Sequence, residues 1–178
     1  SVQGVLPIPP AFVQQQIQSV LSDIQAGAIK TGMLATADII AAVAESLTAY
    51  AHIPLVLDPV MVATSGDRLL APDAVQTLIE KLMPLATVIT PNLHEAAVLL
   101  ITAAGVEAFS APRLQTNNTH GTGCTLASAI AAGLAKQLSL SDSVKQAKDY
   151  LHNALLRSET LHIGQGSGPV HHFYNFYP

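Results

Sequence analysis

The chain has 178 residues, of which 49% are hydrophobic, and carries a formal net charge of −4 with only eight Lys and Arg residues. A nucleic-acid groove needs a stripe of basic side chains, so this composition predicts no nucleic-acid partner. No apolar run approaches the ~20 residues that span a bilayer, so no membrane segment is expected either.

The same composition indicates the class of fold. The length predicts a single domain over residues 1–178. Trp is absent and aromatic residues make up 4% of the chain, so the core must consist of Ala, Leu, Val and Ile. Such a core suits helices packed on a parallel sheet. The single cysteine, Cys124, excludes an intrachain disulfide, which fits a reducing compartment and predicts a cytoplasmic location.

The first third of the chain alternates helical and strand patterns. Pro9 and Pro10 favour a helix start, and a short strand is predicted at 28–30. Thr36 is placed to cap a second helix. The predicted inward positions of the first helix are Val13, Ile17, Val20, Leu21 and Ile24, and those of the second are Ile40, Val43, Ala44 and Leu47.

The middle of the chain repeats this alternation. Residues 55–57 form a continuous apolar run, typical of a strand buried on both faces. Pro72 opens a helix, residues 87–90 form a second buried strand, and another helix is predicted from about Leu93. The expected inward residues after Pro72 are Val75, Leu78, Ile79 and Leu82. Strand–helix alternation with short connections predicts parallel βαβ units.

Two further helices are predicted, from Thr125 to about Gln137 and from Ser141 to about Leu161. The second would bury Val144, Ala147, Leu151, Ala154 and Leu155. Around residues 99–103 the helix that follows Asn92 runs abruptly into residues 108–112. We therefore expect a segment to be missing at this point.

The strongest chemical signal lies at residues 118–125, which read Asn-Thr-His-Gly-Thr-Gly-Cys-Thr directly before an Ala-rich helix. Glycines allow a tight turn whose N–H groups can face a ligand, and a helix N-terminus adds partial positive charge. Gly121, Thr122 and Gly123 therefore predict an anion site suited to a phosphoryl group. The alternative is a glycine-rich turn that only caps the helix.

Cys124 lies inside this predicted anion site. The pKa of a thiol falls at a helix N-terminus, so a thiolate here could accept a proton from a substrate hydroxyl. The alternative is a small buried hydrophobic residue, which is the usual role of a lone cysteine.

Polar residues also follow two predicted strands. Asp58 comes after the strand at 55–57, and Asn92 and Glu95 come after the strand at 87–90. Ligands of open parallel sheets bind beyond the carboxyl ends of the strands. Two carboxylates there could hold Mg²⁺, through water, beside the phosphates of a nucleotide. Alternatively, Asp58 is only a turn residue, and Glu95 is only an acidic residue that the helix dipole favours in the first turn of a helix.

Met33 follows the first predicted strand and could pack on a flat ring, although a core methionine is the default interpretation. His171 and His172 are adjacent, so in an extended chain they point in different directions. We therefore predict no metal site at this pair.

These motifs together resemble a known family, the hydroxymethylpyrimidine/phosphomethylpyrimidine kinases of thiamin biosynthesis. The resemblance covers nearly all of the chain and rests on segments in the same order: Lys-Thr-Gly-Met-Leu at 30–34, Asp-Pro-Val-Met at 58–61, Ser-Gly at 65–66, Thr-Pro-Asn-Leu-His-Glu-Ala at 90–96, residues 118–125, and Gly-Pro-Val-His-His-Phe at 168–173.

The resemblance implies a three-layer α/β/α ribokinase-like fold with a mostly parallel sheet. It implies ATP and Mg²⁺ as cofactors, a small pyrimidine as substrate, two successive phosphorylations, and a homodimer. By motif match, Met33 and Val60 would line the pyrimidine pocket. Asp58, Asn92 and Glu95 would serve the Mg²⁺–phosphate region, with Asp58 and Glu95 nearest the metal. Gly121, Thr122 and Gly123 would form the anion hole, and Cys124 would be the catalytic base.

Two elements of the family pattern are absent: a glycine-rich N-terminal strand and loop, and a Lys-Gly-Gly-His strand between Glu95 and Ala108. We expect these segments to precede Ser1 and to interrupt the region near Leu99.

Three alternatives stay open. Pyridoxal kinase is the same reaction on a different ring. A binding module would hold the pyrimidine without turnover, and a cysteine hydrolase would pair Cys124 with His120.

Overall fold

A computed structural model describes residues 3–61, 69–91, 97–102, 105–110 and 114–177. The chain divides into two compact units, Ser1–Pro91 and Asn92–Pro178. The length predicts a single domain, and this division into units does not test that expectation, which stays a prediction.

The first unit contains a parallel sheet of three short strands: β1 (Ile29–Thr31), β2 (Leu55–Leu57) and β3 (Val88–Ile89), in that spatial order. Ile29 pairs with Leu55, and Val56 pairs with Val88. Helix α2 (Ala37–Thr48) connects β1 to β2, and helix α3 (Pro72–Thr77) lies between β2 and β3. The predicted βαβ alternation is therefore present, and all three strands end at one edge of the sheet.

Helix α2 and strand β2 confirm three predictions. Thr36 caps α2, because its Oγ1 accepts a hydrogen bond from the Ile39 N–H at 3.3 Å. The whole of β2 is buried. The α2 face pointing into the core includes all four predicted residues: Ile40, Val43, Ala44 and Leu47.

Helix α1 spans Pro10–Leu21, and its outer positions differ from the prediction. Val13, Ile17 and Leu21 pack against the core, whereas Val20 and Ile24 are 49% and 59% exposed. Ile24 lies beyond the end of the helix, so helical spacing no longer applies to it.

The helix that Pro72 opens also departs from regular spacing. After α3 the chain continues as a π-helical turn (Leu78–Leu82) and a 3₁₀ turn (Met83–Leu85). Leu78 and Leu82 are buried as predicted, but Ile79 is 48% exposed. A wider turn changes the angle between successive side chains, so the α-helical pattern misplaces this residue.

The second strand predicted at 87–90 is present as β3, but the prediction that it is buried is wrong. Strand β3 is shorter, Val88 is half-buried, and Ile89 is 37% exposed. Because β3 pairs only with β2 among the described strands, it forms an edge of the sheet.

The prediction of a helix continuing from Leu93 is also wrong over its described part. Residues 92–96 lie outside the described residues, but Ala97–Thr102 forms strand β4. It pairs antiparallel with β5 (Gly105–Ser110), with Ala97 opposite Ser110 and Thr102 opposite Gly105. A short apolar run suits a helix or a strand equally well, and the β-branched residues within it favour the strand.

Two helices complete the second unit: α4 (Thr122–Ala135) and α5 (Leu140–Leu156), which continues as a 3₁₀ turn (Arg157–Thr160). They meet closely at Gly133, where an added Cβ would lie 2.8 Å from Ser143 Oγ. Val144, Ala147 and Ala154 are buried as predicted, and Leu151 and Leu155 are half-buried. Across the described ranges, no helix combines the length and apolar character that crossing a membrane requires.

Candidate active site

The first group of candidate residues lies where the three parallel strands end. Thr31 is the last residue of β1, Asp58 follows β2, and Thr90 follows β3. Backbone hydrogen bonds hold the three ends together: the Asp58 N–H donates to the Thr31 carbonyl at 3.1 Å, and the Thr90 N–H donates to the Leu57 carbonyl at 2.9 Å. Ligands of parallel sheets bind beyond this edge.

Asp58 brings a carboxylate into the interior at this edge. Its side chain is 5% exposed, and Oδ2 lies 3.3 Å from Nζ of Lys30. The pair is close enough for a salt bridge, yet Oδ2 has no partner with hydrogen-bond geometry among the described residues. A buried acceptor without a hydrogen bond is costly, so it calls for a functional explanation.

The two threonines share this property. Thr31 Oγ1 and Thr90 Oγ1 are buried, and neither has a hydrogen-bond partner within the described part of the chain. The strand ends therefore present three buried oxygen atoms that make no hydrogen bond to the described residues, although Oδ2 of Asp58 lies beside the Lys30 ammonium group. This chemical character suits a polar or charged ligand.

This donor set fits Mg²⁺ in part. A buried carboxylate oxygen with spare capacity is a suitable ligand for a hard cation. Over the described residues, no three His, Cys, Asp or Glu side chains come together as a metal site. Asn92 and Glu95, the other predicted residues, lie outside the described residues.

The two predicted pyrimidine-contacting residues belong to the loops after β1 and β2. Met33 is 39% exposed, which removes the alternative that it is a core methionine. Val60 is half-buried, and its N–H donates to the Asp58 carbonyl at 2.9 Å. Both residues thus follow the strand ends that carry Thr31 and Asp58.

The glycine motif in the second unit forms the start of a helix. Gly121 is the N-cap residue of α4, with φ of 85°, and the helix begins at Thr122, not at Thr125 as predicted. A left-handed φ strains any residue with a Cβ, which explains the glycine at position 121. Thr122, Gly123 and Cys124 therefore form the first turn of the helix. Cys124 is exposed, so the alternative of a buried packing residue is wrong.

The chain leading into this turn is held by distant parts of the same unit. The Asn118 side-chain amide donates to the carbonyls of Ser158, at 2.5 Å, and Leu161, at 3.2 Å. The His120 N–H donates to the Gly168 carbonyl at 3.0 Å. Gly168 has no room for a side chain, because an added Cβ would collide with Asn118 Oδ1. The segment from Gly168 onward thus fixes the approach to α4.

His172 makes a further contact that the sequence analysis did not foresee. Its Nε2 lies 3.0 Å from Oγ1 of Thr125, the residue after Cys124. The Tyr150 hydroxyl donates to the His172 carbonyl at 2.9 Å. Burial, with a smaller contribution from Tyr174, raises the pKa of Tyr150 above its ordinary value, which favours the protonated form that can donate. Forty-seven residues separate Thr125 from His172, so no local pattern could have revealed the pair.

An open groove of about 790 Å³ runs between α4 and α5 beside this turn. Its lining includes Gly121, Cys124, Thr125, Tyr150, Asn153 and His172. The exposed thiol, the helix N-terminus and the Thr125–His172 contact therefore share one cavity.

Comparison with known proteins decides the family. The chain matches the phosphomethylpyrimidine kinase family over residues 1–107 and 98–171. The chain belongs to this family. The two matched stretches overlap at 98–107, the region in which the sequence analysis expects a missing segment; that expectation stays a prediction.

Individual relatives agree with the family. The chain is 41% identical to the hydroxymethylpyrimidine/phosphomethylpyrimidine kinase of Escherichia coli, over 97% of this chain and 81% of the relative. It is 42% identical to the enzyme of the same name from Rhizobium meliloti, over 99% and 82%. The resemblance inferred from the ordered motifs is confirmed, and the protein is a kinase.

Solved structures agree with the predicted fold. An ADP complex of Bacillus subtilis pyridoxal kinase superposes with a TM-score of 0.84 at 27% identity, covering 97% of this chain and 79% of that one. The phosphomethylpyrimidine kinase of Clostridium difficile superposes with a TM-score of 0.70 at 26% identity, covering 86% and 81%. The predicted α/β fold of the ribokinase-like kinases is thereby confirmed.

Proposed function

We propose that this protein uses ATP to phosphorylate the hydroxymethylpyrimidine alcohol and then its monophosphate, giving the diphosphate used in thiamin biosynthesis. The observation that carries this proposal is the 41% identity, over nearly the whole chain, to a kinase named for these two pyrimidines. Use of ATP is further supported by the likeness to Staphylococcus aureus pyridoxal kinase in complex with AMP-PCP, at a TM-score of 0.84.

In the proposed reaction, the first turn of α4 stabilises the phosphoryl group in transit. Phosphoryl transfer depends mostly on positioning and charge stabilisation, with little covalent work for the protein. Gly121, Thr122 and Gly123 would provide the positive end of the helix. The acceptor oxygen attacks the γ-phosphorus of ATP, the bond to the leaving ADP oxygen breaks, and Sγ of Cys124 accepts the proton of the substrate hydroxyl.

The strand ends of the first unit would hold the metal. Mg²⁺, when bound, neutralises charge on the phosphates. Asp58 fits this task through its buried Oδ2, which has no hydrogen bond to the described residues. Glu95 and Asn92 are proposed to complete the region, on the family motif alone. Glu95→Gln should weaken Mg²⁺-dependent turnover more than pyrimidine binding.

The pyrimidine is proposed to contact Met33 and Val60. Met33 is a flexible, polarisable side chain, and its exposure leaves it able to pack on a flat ring. We also propose, on family grounds, that the protein works as a homodimer, which light scattering would test.

The decisive experiment is a steady-state assay with ATP and each pyrimidine, with pyridoxal as competitor. We expect both pyrimidines to be phosphorylated with kcat/KM well above the pyridoxal value. A clear preference for pyridoxal would overturn the assignment. Phosphate release without ATP would favour the hydrolase, and binding without turnover would favour the binding module.

Pyridoxal kinase activity is the second candidate, and one observation favours it. The TM-score with the Bacillus subtilis pyridoxal kinase, 0.84, exceeds the 0.70 found with the Clostridium difficile phosphomethylpyrimidine kinase. The sequence points the other way, because the chain matches the phosphomethylpyrimidine kinase family over residues 1–107 and 98–171 and is 41% identical to the pyrimidine kinase of Escherichia coli. We therefore expect pyridoxal phosphorylation to be a minor activity.

A further inference from the structure

The side chain of His172 joins the C-terminal segment to the first turn of α4. Its Nε2 lies 3.0 Å from Oγ1 of Thr125. Thr125 is 8% exposed and directly follows Cys124. The Thr125 N–H also donates to the Gly121 carbonyl at 2.9 Å, which closes the first turn of the helix. Thr125 is therefore the point at which the ring of His172 meets the turn that presents Cys124.

This contact matters because the helix start lacks the usual support. A Ser, Thr, Asp or Asn at the N-cap ordinarily fixes the first turn through its side chain. Here the N-cap is Gly121, which makes no side-chain cap. A bond from Thr125 to a distant residue can supply the missing constraint.

His172 is an exposed residue, but hydrogen bonds hold its backbone in place. Its carbonyl accepts the hydrogen bond from the Tyr150 hydroxyl at 2.9 Å, and its N–H donates to the Val170 carbonyl at 3.1 Å. The preceding residue, His171, donates its N–H to the Ala154 carbonyl at 3.0 Å. Both Tyr150 and Ala154 belong to α5. His172 thus couples the start of α4, through its ring, to α5, through its backbone.

We propose that His172 is a positioning residue of the kinase reaction, which acts through Thr125 to fix the turn that carries Cys124. This proposal rests on the proposed function. His172 lines the same groove as Cys124 and Gly121, but its side-chain contact is with Thr125 and not with a reacting atom. A small displacement of a reacting group costs rate far more than it costs substrate binding, so the effect should fall on kcat.

The test compares His172→Leu, which removes the contact, with His172→Gln, whose amide can bond Thr125 again. His171→Leu is the matched control, because the side chain of His171 makes no hydrogen bond to another described residue. With the alcohol substrate, we expect His172→Leu to lower kcat about tenfold and to change the pyrimidine KM by less than about twofold. His172→Gln should stay within about threefold of wild type, and His171→Leu should match wild type.

A second arm needs no turnover. Alkylation of Cys124 by iodoacetamide, without ligands, reports on the geometry of the turn. We expect its rate to change by more than about threefold in His172→Leu and to stay at the wild-type value in His171→Leu. Thr125→Val should reproduce the effect of His172→Leu. The double variant should show no further change, because both substitutions remove the same contact.

The alkylation arm separates this proposal from the proposed function. If the wild-type protein phosphorylates neither pyrimidine, the proposed function fails while the alkylation rates still test the coupling. Wild-type kcat and alkylation in His172→Leu would overturn the proposal, as would equal effects of His171→Leu, or independent effects of the two partners. If His172→Leu does not fold, the test compares Thr125→Val, which removes the hydroxyl, with Thr125→Ser, which keeps it. Wild-type kcat and alkylation rate in Thr125→Val would reject the coupling.

Discussion

The two compact units fix their candidate functional groups by different means. In the first unit, Asp58 is placed by burial: it follows a fully buried strand, and its Oδ2 is left without a hydrogen bond to the described residues. In the second unit, Cys124 is exposed, and the chain around it is held by hydrogen bonds from Asn118, His120 and Thr125 to residues far along the sequence.

The difference teaches what each group is suited to do. A carboxylate that is buried at the packed edge of a sheet keeps one position, and few water molecules can reach it to compete for the metal. Both properties suit a metal ligand. An exposed thiol on a helix start can meet an incoming substrate, and a network of bonds must then supply the rigidity that packing supplies elsewhere.

The largest effect is expected in the second unit and tests the role of Cys124 as the base. Cys124→Ala should lower kcat for the alcohol by at least ~10²-fold, with little change in nucleotide affinity, because a general base is typically worth ~10²–10⁴-fold. The monophosphate should lose much less, since the second pKa of a phosphate ester is about 6 and its oxygen is already ionised at neutral pH. Steady-state assays with both acceptors measure this ratio.

Cys124→Asp is the companion variant. It should retain more activity than Cys124→Ala, because a carboxylate can also accept the proton of the substrate hydroxyl. Equal losses with the alcohol and the monophosphate would show that the thiol serves the anion site and not proton transfer. A near wild-type rate for Cys124→Ala would leave the backbone of the turn to carry the site alone.

The next effect tests the first unit. Asp58→Asn keeps the shape of the side chain but removes its charge and its pairing with Lys30. We expect the Mg²⁺ concentration for half-maximal turnover to rise about 10- to 100-fold, the usual cost of disturbing a metal's protein environment. The measurement is turnover against Mg²⁺ at saturating ATP.

Asp38→Asn is the matched control for this change. Asp38 is an exposed acid in the first turn of α2, so its neutralisation alters the net charge equally without touching the strand ends. An unchanged Mg²⁺ requirement in Asp58→Asn, equal to that of the control, would remove Asp58 from the metal region.

The smallest effect sharpens the comparison within the second unit. Gly168→Ala adds a methyl group that collides with Asn118, whose amide is already bonded to Ser158 and Leu161. We expect a loss of about 1–3 kcal/mol in the free energy of unfolding, as for other overpacked positions, measured by thermal or urea denaturation.

Gly166→Ala provides the control for that loss. Nothing lies within 4 Å of a Cβ added at Gly166, so this variant should be as stable as wild type. Equal stability of the two alanine variants would show that Asn118 can move aside, and that the segment from Gly168 does not hold the chain before α4.

The contrast between the units also explains what the sequence could reveal. The run at β2 and the spacing of α2 are local patterns, and both predicted the structure correctly. The same holds for the Thr36 cap. The hairpin of β4 and β5 was missed, because a short apolar run is compatible with both kinds of secondary structure.

The candidate site followed the same rule. Ordered motifs singled out Asp58 and Cys124 as candidates, since each motif occupies a few consecutive residues. The start of α4 was placed three residues late, because glycines at 121 and 123 indicate a loop when no helix geometry is known. His172 was considered only as a metal ligand and rejected as one, and only the fold brings it to Thr125.

The bond between Thr125 and His172 affects the order in which the nascent chain can form its structure during synthesis. A ribosome makes Thr125 47 residues before His172, and at about 5–20 residues per second the nascent chain waits for several seconds between the two. Throughout that interval the turn bearing Cys124 lacks its anchor. A polypeptide that stalls or is cleaved in this stretch would therefore carry every motif residue up to Thr125 and still lack the contact that, in our proposal, fixes the turn bearing Cys124.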